Sequence, residues 1–176
     1  HGTGFFTFIA EPDPHETIIN KVFTLIIDRS GSMQGNKIQQ ARDASVFIVE
    51  NLNEGDYFNI VDFSENIRSF KSSHVPFNVK NGQDAISYIL GLNASGGTNI
   101  SGAFGAAISQ FSSANDSTAN IIIFFTDGKA TAGITDTPGI LNHVRSIVNS
   151  YDTEIMIFTF GIGGSVNTQL LTLLAT

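Results

Sequence analysis

Three nearly continuous apolar runs constrain this chain more than any other feature: "VFTLII" (22–27), "IIIFF" (121–125) and "IMIFTF" (155–160). Each is short and rich in Ile and Phe. Such runs suit strands covered on both faces, as in a parallel sheet. Parallel strands need crossover connections, and helical patterns fill the gaps between them. In "TNISGAFGAAISQF", Ile100, Ala103, Phe104, Ala107, Ile108 and Phe111 recur at i, i+3, i+4, i+7, i+8 and i+11, one apolar stripe on a helix. Residues 37–52 carry a similar stripe through Ile38, Ala41, Ile48 and Leu52. Thr137-Pro138 supplies a cap and a first-turn proline for a helix running to about Ser150. Residues 82–92 and 167–175 also read as helices.

"YFNIVDF" (57–63) and the alternating "NIRSFK" (66–71) are joined by a short "SEN" turn, which predicts a hairpin and an antiparallel edge strand. "GFFTFI" (4–9) predicts an extra strand near the amino end. No repeat, low-complexity segment or linker interrupts the chain. The fold expected is therefore α/β: a doubly wound, mostly parallel sheet with one antiparallel edge strand and helices on both faces. Residues 1–176 read as a single domain. The chain starts at His1 and stops within the apolar helical pattern "LLTLLAT". The expectation is a piece of a longer protein, with something packing beyond residue 176.

Charge and composition narrow the partners. The net charge of -7, from 16 acids against 9 bases, argues against nucleic acid and anionic membranes. No apolar run approaches the ~20 residues of a membrane helix, so direct membrane insertion is not expected. Cysteine is absent, which excludes disulfides, thiolate metal sites and thiol nucleophiles.

In open α/β sheets, ligands bind outside the carboxyl ends of strands, where strand order reverses. The loop after the first strand, in "LIIDRSGSM", carries Asp28, Ser30 and Ser32. The loop after "IIIFF" carries Thr126, Asp127 and Gly128. "NASGGTNIS" carries Thr98 and Asn99 after a glycine pair. If the first and fourth strands are neighbours, five oxygen side chains converge: Asp28, Ser30, Ser32, Thr98 and Asp127. Carboxylates and hydroxyls are ligands for hard cations. Two carboxylates just balance a divalent ion and the hydroxyls add no charge, so the ion stays electrophilic enough to accept a partner's carboxylate. A blander reading stands beside this one. Ser and Asp are ordinary cap and turn residues, and Asp-x-Ser-x-Ser also describes a turn that starts a helix.

"IDRSGSM", "GGTNI" and "FFTDGKAT", in that order, resemble the metal-ion-dependent adhesion site (MIDAS) of the von Willebrand factor type A domain. The longer stretches "FTLIIDRSGSMQGNKIQQARDA", "GDYFNIVDFSENI" and "IFTFGIGGSVNTQLLTLLA" look most like the type A domain of inter-alpha-trypsin inhibitor heavy chains and their bacterial relatives. The resemblance implies a Rossmann-like fold with Asp28, Ser30, Ser32, Thr98 and Asp127 as the metal site. It implies direct binding by the serines and the threonine, with the aspartates often acting through water. It implies Mg²⁺ or Mn²⁺, with Ca²⁺ as a further candidate, and a protein partner presenting Asp or Glu to the ion. It places the chain outside the cell, at the cell surface or in the periplasm. It also implies that a last edge strand and helix of the family are missing here.

Catalysis is the competing class. A serine nucleophile needs a nearby base, and none of His1, His15, His74 and His143 follows a strand that carries the site. The nucleophile-elbow pattern is absent, since Asp28 stands at its first glycine position. A magnesium-dependent phosphatase using Asp28 would carry a second Asp where this chain has Ser30. The expectation is a binding module and not an enzyme; the remaining alternative is a scaffold domain with a merely stabilising ion. Asp56, Asp62 and Asp136 read as surface acids, with Asp136 an outer-rim candidate, and Lys129 as a solvated loop charge near Asp127.

Overall fold

The computed structural model describes residues 20–111, 118–151 and 154–175. The expected strand at 4–9 lies outside them. Strand β1 (Asn20–Asp28) is followed by a single 3-10 turn (Gly31–Met33) and helix α1 (Asn36–Glu50). Next come β2 (Tyr57–Phe63), β3 (Ile67–Ser69), a two-residue β4 (Val75–Pro76) and α2 (Val79–Leu90). Then follow α3 (Ile100–Ile108), β5 (Thr118–Thr126), α4 (Thr137–Ser150), β6 (Ile155–Gly161) and α5 (Thr168–Leu174). The sheet order is β3-β2-β1-β5-β6, with β4 also on β2. β1 pairs in parallel with β2 and β5, and β5 with β6, while β3 and β4 run antiparallel to β2. The fold is the doubly wound, mostly parallel α/β type that the apolar runs predict.

Alternate residues of the central strands enter two separate cores. Ile26, Phe63, Ile122 and Phe124 pack with Phe104, Ile140, Val144 and Leu170 from α3, α4 and α5. Leu25, Ile27, Phe58, Ile60 and Phe125 pack with Ile38, Val49 and Ile89 from α1 and α2. Packing outweighs capping in placing α1. Its N-cap, Gly35, makes no side-chain cap bond, yet the helix buries Ile38, Ala41, Ser45 and Val49. A lost cap costs ~1 kcal/mol, whereas each buried aliphatic side chain contributes about 1.5–3 kcal/mol.

Two expectations need correction. Among the described residues β6 ends the sheet order and one of its faces is left open, with Met156, Phe158 and Phe160 46%, 49% and 50% exposed. Helix α4 is capped by Asp136 rather than Thr137, because the Asp136 carboxylate accepts from the Gly139 N–H at 2.7 Å. Asp136 is thus an exposed acid, as expected, that also caps a helix.

The strand order reverses between β1 and β5. From β1 the chain crosses first to β2 on one side, then returns to β5 on the other. Ile27 stands opposite Phe125, so Asp28 and the residues that follow β5 leave the sheet side by side.

Candidate metal centre

Asp28 ends β1 with 0% of its surface exposed. Its Oδ1 accepts from the Ser30 backbone N–H at 2.8 Å, and its Oδ2 accepts from the Thr126 hydroxyl at 2.6 Å. Burial pushes the Asp28 carboxyl above the usual carboxylate range. The Thr126 and Ser30 hydrogen bonds pull it down, and the charge of Asp127 pushes it further up. The turn after Asp28 brings Ser30 Oγ within 3.1 Å of Ser32 Oγ. Ser32 in turn donates to Asp127 Oδ1 at 2.7 Å. Either hydroxyl can be the donor in the serine pair, and the Ser30 hydroxyl also favours the Asp28 carboxylate. The other oxygen of Asp127 is held by the ammonium of Lys37, from the first turn of α1.

Backbone bonds knit the surrounding loops. The Gly31 N–H donates to the Gly96 carbonyl at 2.9 Å, the Ser95 N–H to Arg29 at 2.8 Å, and the Asn99 N–H to Ser64 at 2.8 Å. Thr98 is 4% exposed, and its hydrogen bonds run through its backbone. Its N–H donates to Thr131 Oγ1 at 2.9 Å, and its carbonyl accepts from the N–H groups of Thr131 and Ala132. The glycine pair permits this closeness. Gly96 has φ +80°, and a Cβ on Gly97 would fall 2.9 Å from Glu65 Cγ and 3.0 Å from Thr131 Oγ1.

Behind this edge lies a charged cluster that sequence reasoning missed. Asp62, read as a surface acid, is 0% exposed. It accepts from Arg29 Nε, from Arg68 Nε and Nη2 at 2.9 and 2.8 Å, and from the Tyr88 hydroxyl. Burial and then the bond to Asp62 push the Tyr88 phenol well above its ordinary value. Arg29 sits between Asp28 and Ser30, so this cluster fixes the backbone from which both site residues project. Asp56 is buried too, holding the backbone N–H groups of Lys21 and Asn53.

Of the five residues singled out in the sequence, Ser30, Ser32 and Asp127 form one contact chain, and Asp28 joins it through Ser30. Thr98 shares the same loop edge but makes no hydrogen bond to the other four. Lys37 is the cation on Asp127, and Lys129 is exposed, as a solvated loop charge is. No sequence signal marks Lys37, because it lies 90 positions from its partner.

The donor set is entirely oxygen. Among the described residues no group of three or more His, Cys, Asp or Glu side chains could hold a metal, so an ion here would depend on hydroxyls as much as on carboxylates. That chemistry fits hard cations such as Mg²⁺ and Mn²⁺ better than thiolate- or imidazole-seeking metals. Both oxygens of Asp28 are engaged, so Asp28 fits contact through an ion's water better than direct ligation.

These features define a class: a doubly wound α/β domain with a hard-donor cluster at its switch point. The model of the von Willebrand factor type A domain matches residues 23–176, and the chain belongs to that family. Among curated relatives, inter-alpha-trypsin inhibitor heavy chain H4 of Homo sapiens is 35% identical over 178 residues, covering 98% of this chain but 19% of the relative. The chain thus spans about a fifth of that relative's length. Among solved structures, a von Willebrand factor type A protein from Catenulispora acidiphila superposes with TM-score 0.73 at 22% identity, covering 89% of this chain and 36% of that one. Proximal thread matrix protein 1 of the mussel byssus, described with a zinc-occupied MIDAS motif, gives TM-score 0.72 at 20% identity, covering 90% and 42%.

Proposed function

We propose that this domain is a metal-dependent protein-binding module of the adhesion type. Ser30, Ser32 and Thr98 would hold a divalent ion directly, with Asp28 and Asp127 supporting it through water. The ion is Mg²⁺ or Mn²⁺, with Ca²⁺ the third candidate. When bound, it supplies an open electrophilic position that takes an Asp or Glu side chain from a partner protein. The observation that carries the reading is the continuous oxygen chain from Ser30 through Ser32 to Asp127, with Asp28 behind it at the β1–β5 switch point. The metal-occupied MIDAS of the mussel protein is a precedent for this fold.

Binding is favoured over catalysis by the partners of the two serines. The Ser32 proton goes to a carboxylate, and among the described residues no imidazole is bonded to either hydroxyl. His74 is instead engaged by Thr24 and Gln110. A place outside the cell or at its surface accords with the heavy-chain relatives, and no helix among the described residues is long and apolar enough to cross a membrane.

The test is calorimetric titration of Mg²⁺ and Mn²⁺ into the wild type and a Ser30→Ala/Thr98→Ala double variant. Binding in the wild type alone is expected. Capture by immobilised Asp-containing peptides should then vanish with chelator. An ion that binds without changing peptide capture would reduce the domain to a scaffold, and equal titration curves for the two proteins would remove the site.

A further inference from the structure

The Lys37–Asp127 pair lies in an unusual place for a lysine. Lys37 occupies the first turn of α1, where the helix dipole disfavours positive charge, and that turn has no acidic residue. Its position therefore does not serve the helix. The side chain runs instead across the loop that follows β6. A Cβ on Gly163 would meet Lys37 Cε at 3.1 Å and Nζ at 3.7 Å, and the bare glycine leaves that path open. At its end the ammonium lies against Asp127 Oδ2, while Ser32 takes Oδ1.

The charges are uneven. The Asp127 side chain is 1% exposed and the Lys37 side chain 35%, so one partner is fixed and the other reaches solvent. Among the described residues no cation pairs with Asp28: a backbone N–H and the Thr126 hydroxyl hold its two oxygens. The centre without metal thus carries two carboxylates and one ammonium. A divalent ion brought to the same oxygens would face that ammonium at close range, where like charges repel.

We propose that Lys37 is the resident counter-ion of the metal-free site and the cation that a divalent ion must displace, so that Lys37 sets how tightly the domain holds its metal. This rests on the metal-site reading above. Lys37 then stabilises the empty domain and weakens metal binding, two effects of opposite sign from one side chain. A lysine that merely oriented Asp127 for the ion would do the reverse to affinity, because its removal would loosen a ligand.

The experiment titrates Mg²⁺ and Mn²⁺ by calorimetry into the 176-residue chain as wild type, Lys37→Met and Lys37→Gln, with Lys80→Met as control. Lys80 pairs with Asp84 on the exposed face of α2. Thermal melts in chelator accompany each titration. The expected result is a Kd about tenfold lower in both Lys37 variants, the equivalent of about 1.4 kcal/mol. Their melting temperatures in chelator should fall by several degrees, and Lys80→Met should match the wild type. In the wild type, the Lys37 Cε resonance should move toward that of a free lysine as metal is added. Metal binding that is unchanged or weaker in the Lys37 variants overturns the proposal and leaves the site reading intact. No binding by any of the proteins overturns both.

Discussion

Removing the charge of Asp28 should stabilise the metal-free domain. Asp28→Asn keeps the shape of a fully buried side chain whose oxygens face one backbone N–H and one hydroxyl. The amide oxygen still accepts from Ser30, and its NH₂ group can donate to Thr126, whose hydroxyl turns round to accept. An isolated buried carboxylate costs several kcal/mol in lost hydration. Two hydrogen bonds to a charged acceptor return about 1.5–3 kcal/mol each, against ~1 kcal/mol each for the neutral amide. Asp127 adds repulsion to the charged form only. The balance favours the amide by on the order of 1 kcal/mol, or about 2–4 °C for a domain of this size. Metal reverses the order: an ion at 100 times its Kd stabilises the wild type by about 2.7 kcal/mol, and the variant loses most of that. Melts in chelator and in excess Mg²⁺ should therefore cross, with Asp28→Asn higher in the first and lower in the second. Asp127→Asn should give no such gain in chelator, because it strands Lys37. An Asp28→Asn protein that melts below the wild type in chelator would refute the reasoning and make Asp28 a turn cap.

His74 should make the fold acid-sensitive. The Gln110 carbonyl can only accept, so Nδ1 carries the proton and bare Nε2 accepts from the Thr24 hydroxyl at 2.7 Å. Burial lowers its pKa from 6.5 to about 4. Below pH 6.5 the unfolded chain takes up a proton that the folded one refuses, so this stability is complete above 6.5 and drains toward pH 4, by roughly 3 kcal/mol in all. An NMR titration of the imidazole checks it, and a midpoint near 6.5 would contradict it. Asp62→Ala leaves the buried Arg29 guanidinium and the Tyr88 phenol without their acceptor, while the half-exposed Arg68 turns to water, and should cost about 3 kcal/mol in urea melts. A loss under 1 kcal/mol would mean that the cluster is solvated.

The centre of the sheet was legible because buried strands leave few alternatives to Ile and Phe. β1, β2 and β5 fall where the apolar runs lie, and the Gly pair before Thr98 marks a close approach that only tertiary structure explains. The edges were less legible. "IMIFTF" is apolar at nearly every position, so its periodicity does not reveal that, among the described residues, β6 ends the strand order with one face open. β4 is two residues long, too short for any period, and its Pro76 fits a margin where no N–H is needed. Asp62 was misread in part avoidably: the hairpin puts it opposite Arg68, a pairing that the turn length implies. Arg29 and Tyr88 reach it from β1 and α2, and nothing local announces them.

The partners of the buried acids bear on the function as well as the fold. Four aspartates are buried among the described residues: Asp28, Asp56, Asp62 and Asp127. Asp62 receives two guanidiniums, and Asp56 caps a turn with two backbone N–H groups. Both are satisfied by groups the fold holds in place. At the switch point the chain is sparing: among the described residues one partly exposed ammonium serves two acids, one of which it does not touch. Burial unbalanced in this way costs stability, and the fold has the means to avoid it, as the arginines around Asp62 demonstrate. A site left short of positive charge, beside hydroxyls able to ligate, is what a domain needs if the missing charge is to come from solution.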